Sequence, residues 1–200
     1  MLAPMLANHE EPGKAAPRRG QVGKEPLIGD ARRRVLEAAR CMKQEGVDAY
    51  HVIAFLMFTG AHPSVLANRA RSLPHLEADG DERWISWLRP KKTGADAVTR
   101  VPVAMELQPW VQEFFDSELP TLPTWRQFYW QLCRAVGKKA GIPGLSPMTL
   151  RHTFGVYLDE LGMSPSEIQR CLNCSLTVLT KRYTRRQDAV TAKRLREAGF

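Results

Sequence analysis

The sequence predicts a mainly α-helical domain that carries one small antiparallel β-sheet, an α+β fold. Three observations predict this class. Apolar residues recur at helical spacing through most of the chain, and Gly or Ser-Pro signals mark the ends of those stretches. One segment alone places aromatic and β-branched residues on both sides of a Gly-containing break. With 200 residues, 44% of them hydrophobic, the chain has the length and composition of one ordinary domain.

The N-terminal third begins with a polar stretch and continues with two predicted helices. Residues 1–26 ("EEPGKAAPRRGQVGKEP" in part) have no apolar period and predict a flexible basic arm, so the domain is expected over residues 27–200. "PLIGDARRRVLEAARCMKQEG" predicts a helix with Asp30 as N-cap and Gly46 as its end. "DAYHVIAFLMFTG" is apolar on nearly all sides, which predicts a buried helix that ends at Gly60.

The rest of the chain alternates once from helix to hairpin and back. "PSVLANRA" predicts a short helix with Pro63 in its first turn. "ERWISWLRPKKTGADAVTRVPVA" predicts a β-hairpin whose tip lies near Lys92 to Val98. Ser146 and Ser164 each precede a proline and are predicted N-caps. The later helices are expected in "MELQPWVQEFFDSEL", "TWRQFYWQLCRAVGKKAG", "SPMTLRHTFGVYLDELG", "SPSEIQRCLN", "SLTVLTKRYT" and "QDAVTAKRLREAG".

Composition favours a polyanionic partner. The chain has 29 Lys and Arg against 21 Asp and Glu, a formal net charge of +8, which favours nucleic acid. No membrane partner is expected, because the longest apolar run, "VIAFLMF", is too short to span a bilayer. The N-terminus lacks the basic and apolar regions of a signal peptide, and four cysteines do not make a disulfide scaffold. The expected compartment is the cytoplasm.

The sequence predicts neither a metal site nor a cofactor. Cys171 and Cys174 form one CxxC pair, but a zinc site needs four ligands. No second Cys or His pair stands at finger spacing. The two cysteines are therefore interpreted as buried or half-buried thiols on a helix and at its exit.

A longer stretch, "LRHTFGVYLDELGMSPSEIQRCLNCSLTVLTKRYT", resembles the C-terminal signature of the tyrosine recombinases, the phage-integrase family. "FTGAHPSVLANRA" is similar to the family's "TG-L-R-x-S-E-L" helix, and "LRPKKTG" with "TRVPV" to its lysine-bearing hairpin. The similar segments follow one another in the family's order over residues 27–186. In the C-terminal stretch the residues in register are Arg151, Gly162, Ile168, Gln169, Leu172, Ser175, Thr180, Tyr183 and Thr184.

The resemblance implies a chemistry and a role for several residues. Members of the family cut DNA without metal: a tyrosine hydroxyl attacks the scissile phosphate and forms a 3′-phosphotyrosine. By this resemblance Tyr183 matches the nucleophile and Arg151 the second of two phosphate-binding arginines. Lys92 best matches the hairpin lysine, with Lys91 as its rival. On residue type alone, Tyr183 in "LTKRYTRR" could equally be a buried ring at the start of a basic helix.

Three positions depart from the family pattern. His62 stands where the first arginine belongs, Met148 replaces a histidine before Arg151, and Cys174 replaces the histidine of "G-H-S". His152 is interpreted as a packed helix residue that does not repair these losses. Histidine cannot reproduce arginine's two-pronged contact, methionine has no donor, and a thiol donates weakly. Since one preorganised donor contributes about 10²–10³ in rate, cleavage is predicted to be weakened or lost.

The predicted function is therefore a DNA-binding protein of the tyrosine recombinase type, associated with the nucleoid and derived from or related to mobile-element integrases. Two alternatives stay open: an active site-specific recombinase with substituted site residues, and a protein-interaction module on the same fold. "DAVTAKRLREAGF" could exchange with a neighbouring copy to give a homo-oligomer on double-stranded DNA, or fold back on its own domain. The residues predicted to face DNA are Lys91, Lys92, Arg151, Lys181, Arg182, Arg185 and Arg186.

Overall fold

The mainly helical α+β class is confirmed by the computed structural model, which describes residues 25–89, 97–104 and 107–174. No helix within those ranges is both long enough and apolar enough to cross a bilayer. A π-helical turn (Phe114–Glu118) follows α5 directly. The elements in chain order are α1 (Asp30–Arg40), β1 (Lys43–Gln44), β2 (Val47–Asp48), α2 (Ala49–Thr59), α3 (Pro63–Ala67), α4 (Arg69–Ser72), β3 (His75–Asp79), β4 (Glu82–Arg89), β5 (Ala97–Pro102), α5 (Gln108–Glu113), α6 (Arg126–Lys139), α7 (Pro147–Glu160) and α8 (Pro165–Leu172).

Helix α2 is the centre of the helical core. It packs against α1, α6 and α7, and Ile53, Phe55 and Leu56 are fully buried within it. A helix that is apolar on all sides must be enclosed in this way, because any exposed face would leave hydrophobic surface in water. Asp48 caps its start by accepting from the backbone N–H of Tyr50 at 2.9 Å. Gly60 ends it in the left-handed conformation (φ 62°), as the sequence predicts.

An aromatic cluster joins α2 to α5 and the π-helical turn. The ring of Phe55 stacks on that of Phe114 with centroids 4.9 Å apart. The Trp110 ring also stacks on that of Phe114, with centroids 6.1 Å apart. Stacked and edge-on aromatic pairs contribute packing energy beyond their buried area. The π-helical turn is thus held against the middle of α2.

The predicted hairpin is confirmed, and it belongs to a three-stranded antiparallel sheet in the order β3-β4-β5. Strand β4 pairs with β5 in a register that places Trp84 opposite Pro102 and Leu88 opposite Val98. The part of the tip between residues 90 and 96 lies outside the described residues. Strand β3 was not predicted, because "HLEAD" is short and polar and becomes a strand through its pairing with β4.

The predicted limits of α1 are wrong at both ends. Its N-cap is Gly29 (φ 55°), and Asp30 is instead the first helical residue, whose carboxylate accepts from Arg33 at 2.6 Å. The helix ends at Arg40 rather than at Gly46. Gly46 (φ 83°) lies in the tight turn between β1 and β2, because the polar residues after α1 pair with each other as a small hairpin.

The two serine caps are confirmed. The Ser146 hydroxyl accepts from the backbone N–H of Thr149 at 3.2 Å at the start of α7. Ser164 and Glu167 form a capping box at the start of α8. The Ser164 hydroxyl and backbone N–H both donate to the Glu167 carboxylate, which lowers the pKa of Glu167. Because that pKa is depressed, the capping box is present at neutral pH and is lost only as the pH falls through it.

We expect Gly60→Ala to destabilise the protein far more than Gly80→Ala. Both glycines have nearly the same positive φ, 62° and 60°. A Cβ at Gly60 would lie 2.5 Å from Phe154 Cδ1 and 2.8 Å from Leu172 Cδ2, whereas a Cβ at Gly80 meets nothing within 4 Å. The strain of the left-handed conformation costs about 1 kcal/mol in both variants, and overpacking at Gly60 adds about 1–3 kcal/mol.

Urea unfolding of the two variants measures this difference directly. The loss of unfolding free energy in Gly80→Ala reports the conformational strain alone. Subtracting it from the loss in Gly60→Ala gives the cost of overpacking at Gly60. Equal losses of unfolding free energy in the two variants would show that Phe154 and Leu172 do not pack closely on Gly60.

Candidate functional site

Arg151 is the best-defined of the candidate residues. It lies in the first half of α7, after the Ser146 cap, and its side chain is half-buried. Its Nη1 donates to the backbone carbonyl of Gly60 at 2.5 Å, and its Nη2 donates to the carbonyl of Leu172. These carbonyls terminate α2 and α8, where unpaired C=O groups and the helix dipole favour a cation. One guanidinium therefore ties the ends of two helices to a third.

The same guanidinium brings the other described candidates into one region. His62 lies two positions after Gly60, and Cys174 lies two positions after Leu172. Met148 precedes Arg151 by three positions on α7, which places both on the same face of that helix. Four residues from three separate stretches of the sequence are thus arranged around the junction of α2, α7 and α8.

His62 has a structural task at this junction. It is the N-cap of α3, and its Nδ1 accepts from the backbone N–H of Ser64 at 3.2 Å. The Ser64 hydroxyl lies 2.7 Å from the same nitrogen. A ring nitrogen that accepts a hydrogen bond carries no proton, so this cap requires the neutral tautomer with its hydrogen on Nε2. In this arrangement His62 has one N–H donor and no permanent charge.

Met148 and Cys174 add little polar capacity to the region. Both side chains are half-buried, and the backbone N–H of Cys174 donates to the Gln169 carbonyl at 3.4 Å at the end of α8. Cys171 is buried, and burial raises the pKa of its thiol. The interpretation of this CxxC pair as one buried and one half-buried thiol agrees with these positions. His152 is buried too, as a packed helix residue should be.

Asn173 is a positioning residue that the sequence interpretation missed. It ends α8 in the left-handed conformation (φ 45°), which asparagine tolerates better than most side chains. Its Nδ2 donates to the Thr99 hydroxyl at 2.9 Å, and Thr99 is buried in β5. The end of α8 is thereby fastened to the strand that follows the hairpin tip. An asparagine directly after a helix is the sequence signal for such a cap.

An open groove of about 890 Å³ runs between α8 and the three-stranded sheet. Arg100 lies on its sheet side, with its guanidinium 4.3 Å from the centre of the Trp84 ring. The same guanidinium contacts Glu77 at 3.1 Å and Asp79 at 3.3 Å. The Ser86 hydroxyl first, and Arg100 next, lower the pKa of Glu77, so this carboxylate stays charged beside the arginine. On the α8 side the groove is lined by Met163, Ser166, Glu167, Gln169, Arg170, Cys171, Asn173 and Cys174.

Most of the predicted DNA-facing residues and the predicted nucleophile lie outside the described residues. Among the predicted DNA-facing set, the structure describes Arg151 alone. Those beyond the described ranges are Lys91, Lys92, Lys181, Arg182, Tyr183, Arg185 and Arg186.

Solved structures of recombinases share the fold of this chain. No protein-family model matches the chain. Over 69 residues, 34% of the chain, the sequence is 39% identical to the tyrosine recombinase XerA of Pyrococcus furiosus, and the match spans 22% of that protein. The solved structure of XerA recombinase superposes with a TM-score of 0.64 at 22% identity, covering 86% of this chain and 66% of XerA.

Two further solved structures contain DNA. The XerH site-specific recombinase bound to difH substrate gives a TM-score of 0.60 at 14% identity, covering 84% of this chain and 53% of XerH. The Tn1549 transposon integrase in complex with a circular intermediate DNA gives a TM-score of 0.61 at 19% identity, covering 90% and 68% of the two chains. At identities this low, the structural superpositions establish a common fold. The chain spans less than two thirds of XerA and about half of XerH.

Proposed function

From the tyrosine-recombinase catalytic-domain fold of this chain, we propose that it is a double-stranded-DNA-binding protein whose strand-cleavage chemistry is weakened or lost. The observation that carries the proposal is the placement of Arg151. It stands at the junction of α2, α7 and α8, and it already donates to two backbone carbonyls. The residues around it, His62, Met148 and Cys174, are poor partners for a phosphate.

The net charge of the chain and its structural likeness to recombinases solved with DNA support DNA binding. The chain carries a net charge of +8, and a polyanion is the partner that such a charge attracts most strongly. XerH and the Tn1549 integrase, which share the fold, were both solved in complex with DNA. The proposal includes association with the nucleoid, a relation to mobile-element integrases, and assembly on DNA through the C-terminal segment of residues 188–200.

The hydrogen-bond donors at the junction support the proposal of weakened strand cleavage. Charge that develops on a transferring phosphate needs preorganised, cationic donors around its oxygens. The described cap on α3 leaves His62 with one neutral N–H, and Met148 has no donor at all. The Arg151 fork, which should grip the phosphate, is directed in part at the carbonyls of Gly60 and Leu172. Each missing donor is expected to cost about 10²–10³ in rate.

A duplex-binding titration tests the DNA-binding part of the proposal. With six or more phosphate contacts, affinity should fall by about 10³-fold between roughly 50 and 200 mM salt because counterions are released. Lys181→Ala removes one predicted phosphate contact. It should therefore reduce the steepness of log affinity against log salt by about 0.9, the contribution of one contact.

Arg33→Ala is the charge-matched control. Arg33 lies on the exposed side of α1 and contacts Asp30 and Glu37 instead of facing the junction. We expect its salt slope to equal that of the unaltered protein. A protein that fails to bind duplex at low salt, or that binds with a flat salt response, would favour the alternative of a protein-interaction module.

A further inference from the structure

Three potential metal ligands meet at the start of α2. Asp48, His51 and Glu118 place one ligand atom each so that all three atoms lie within 4.8 Å of one another. The imidazole of His51 is 7% exposed, and its Nδ1 is buried without a hydrogen-bond partner. This nitrogen lies 3.5 Å from Oε1 of Glu118, whose side chain is 13% exposed. A buried polar atom normally finds a partner, so an unsatisfied nitrogen directed at a carboxylate requires an explanation.

The backbone orients both carboxylates around this nitrogen. One oxygen of Asp48 accepts from the Tyr50 N–H at 2.9 Å as the N-cap of α2. Oε2 of Glu118 accepts from the Asp48 N–H at 3.4 Å, so its Oε1 is the oxygen that faces His51. Each carboxylate therefore has one oxygen held in place by the main chain. Preorganisation of this kind is what a coordination site needs.

A further carboxylate stands behind the histidine. Oε1 of Glu113 lies 3.7 Å from Nε2 of His51, the ring nitrogen that does not face Glu118. In metal sites the second ring nitrogen of a histidine ligand usually donates toward a carboxylate, carbonyl or water. The rings of Trp110 and Phe114, with centroids 6.4 Å from that of His51, form an apolar wall on one side.

We propose that Asp48, His51 and Glu118 bind a divalent transition-metal ion of the zinc class, with water completing the coordination. Three carboxylates around a single imidazole attract a cation, and one imidazole with carboxylate oxygens suits Zn²⁺ better than Mg²⁺, which prefers oxygen ligands alone. Tetrahedral zinc with bonds of about 2.0–2.1 Å sets ligand atoms about 3.4 Å apart. The separation of 3.5 Å between Nδ1 and Oε1 fits this geometry, and the Asp48 oxygen, which lies within 4.8 Å of both atoms, would move closer to the ion on binding.

The ion would fasten the start of α2 to the π-helical turn. Glu118 is the last residue of that turn, and Asp48 and His51 flank the first residues of α2. The other end of α2 has the Gly60 carbonyl that accepts from Arg151. The proposed ion would thus have a structural role. Its site lies at the end of α2 remote from the junction of α2, α7 and α8, and it does not depend on the proposed function.

Zinc titration of the chelator-treated full chain tests the proposal. We expect one high-affinity ion per chain, with a raised melting temperature. His51→Gln and Glu118→Gln should each weaken that site about 100-fold or more, since even outer-shell partners contribute about 10–100-fold. Asp116→Asn is the matched control, because it removes an exposed carboxylate from the same turn, where Asp116 accepts from Gln112. It should leave zinc affinity unchanged.

Cobalt(II) separates this site from the cysteines. Bound by nitrogen and oxygen ligands, cobalt should show d–d absorption that His51→Gln removes, without the charge-transfer band of a thiolate ligand. Absence of zinc binding by the unaltered protein would overturn the proposal. So would a thiolate band at the high-affinity site, which would assign the ion to Cys171 and Cys174. Wild-type zinc affinity in a Glu118→Gln protein that circular dichroism shows to be folded would overturn it equally.

Discussion

The triple variant His62→Arg, Met148→His and Cys174→His is expected to form a covalent adduct with a nicked suicide duplex, whereas the unaltered protein forms none that is detectable. Each change introduces the donor that the family resemblance implies at that position. A single preorganised donor contributes about 10²–10³ in rate, and residues that act as a unit contribute less than the sum of their separate effects. We therefore expect a gain of about 10⁴-fold or more.

Denaturing electrophoresis of labelled duplex detects the adduct. Tyr183→Phe in the triple-variant background is the control, because it removes the hydroxyl that we propose as the nucleophile and keeps the introduced donors. His62→Arg also removes the Nδ1 that accepts from Ser64 at the start of α3. Loss of an N-cap costs about 1 kcal/mol, so the variant should remain folded, which circular dichroism verifies.

Two outcomes would contradict this prediction in different ways. Efficient adduct formation by the unaltered protein would establish the alternative of an active recombinase with substituted residues. A triple variant that binds duplex tightly but never attaches would mean that Tyr183 does not reach the phosphate. In that case the interpretation of "LTKRYTRR" as a basic helix with a buried tyrosine would stand.

Local signals predicted the helix ends that local interactions determine. Gly60, Ser146 and Ser164 act within one turn of their own positions, so residue type and neighbours were sufficient. The end of α1 was mispredicted because the small hairpin after it depends on the pairing of β1 with β2. Strand β3 was missed because its partner β4 supplies the hydrophobic residues of the pair.

The sequence proposed which residues form the candidate site, but it did not predict the contacts that the described ones make. The family resemblance identified Arg151, but its carbonyl partner at Gly60 lies 91 positions earlier in the chain. In the same way Asp48 and Glu118 are 70 positions apart and share no motif. Contacts of this kind depend on how α2, α7 and the π-helical turn pack together. The order of residue types along the chain does not by itself predict how these elements pack.

The second large effect is expected for Arg151→Ala, which should lower the free energy of unfolding by about 3–5 kcal/mol. The substitution removes two charge-assisted hydrogen bonds, each contributing about 1.5–3 kcal/mol. It also leaves the carbonyls of Gly60 and Leu172 without this donor at the ends of α2 and α8. Arg151→Lys keeps the positive charge, but one ammonium lacks the fork that spans both carbonyls, so we expect a loss of about 1–2 kcal/mol.

Urea unfolding with Arg170→Ala as the control distinguishes this contact from a general effect of charge. Arg170 lies on the exposed side of α8, so its removal should change the unfolding free energy by no more than about 0.5 kcal/mol. If Arg151→Ala were as stable as the Arg170 control, the guanidinium would not hold the helices together. Its donors would then not be partly committed to the protein.

If Arg151→Ala is strongly destabilised, as we expect, any phosphate that binds here must share the arginine with the carbonyls of two helices. That sharing would be a physical reason for the weakened cleavage that we propose, in a protein that still binds DNA.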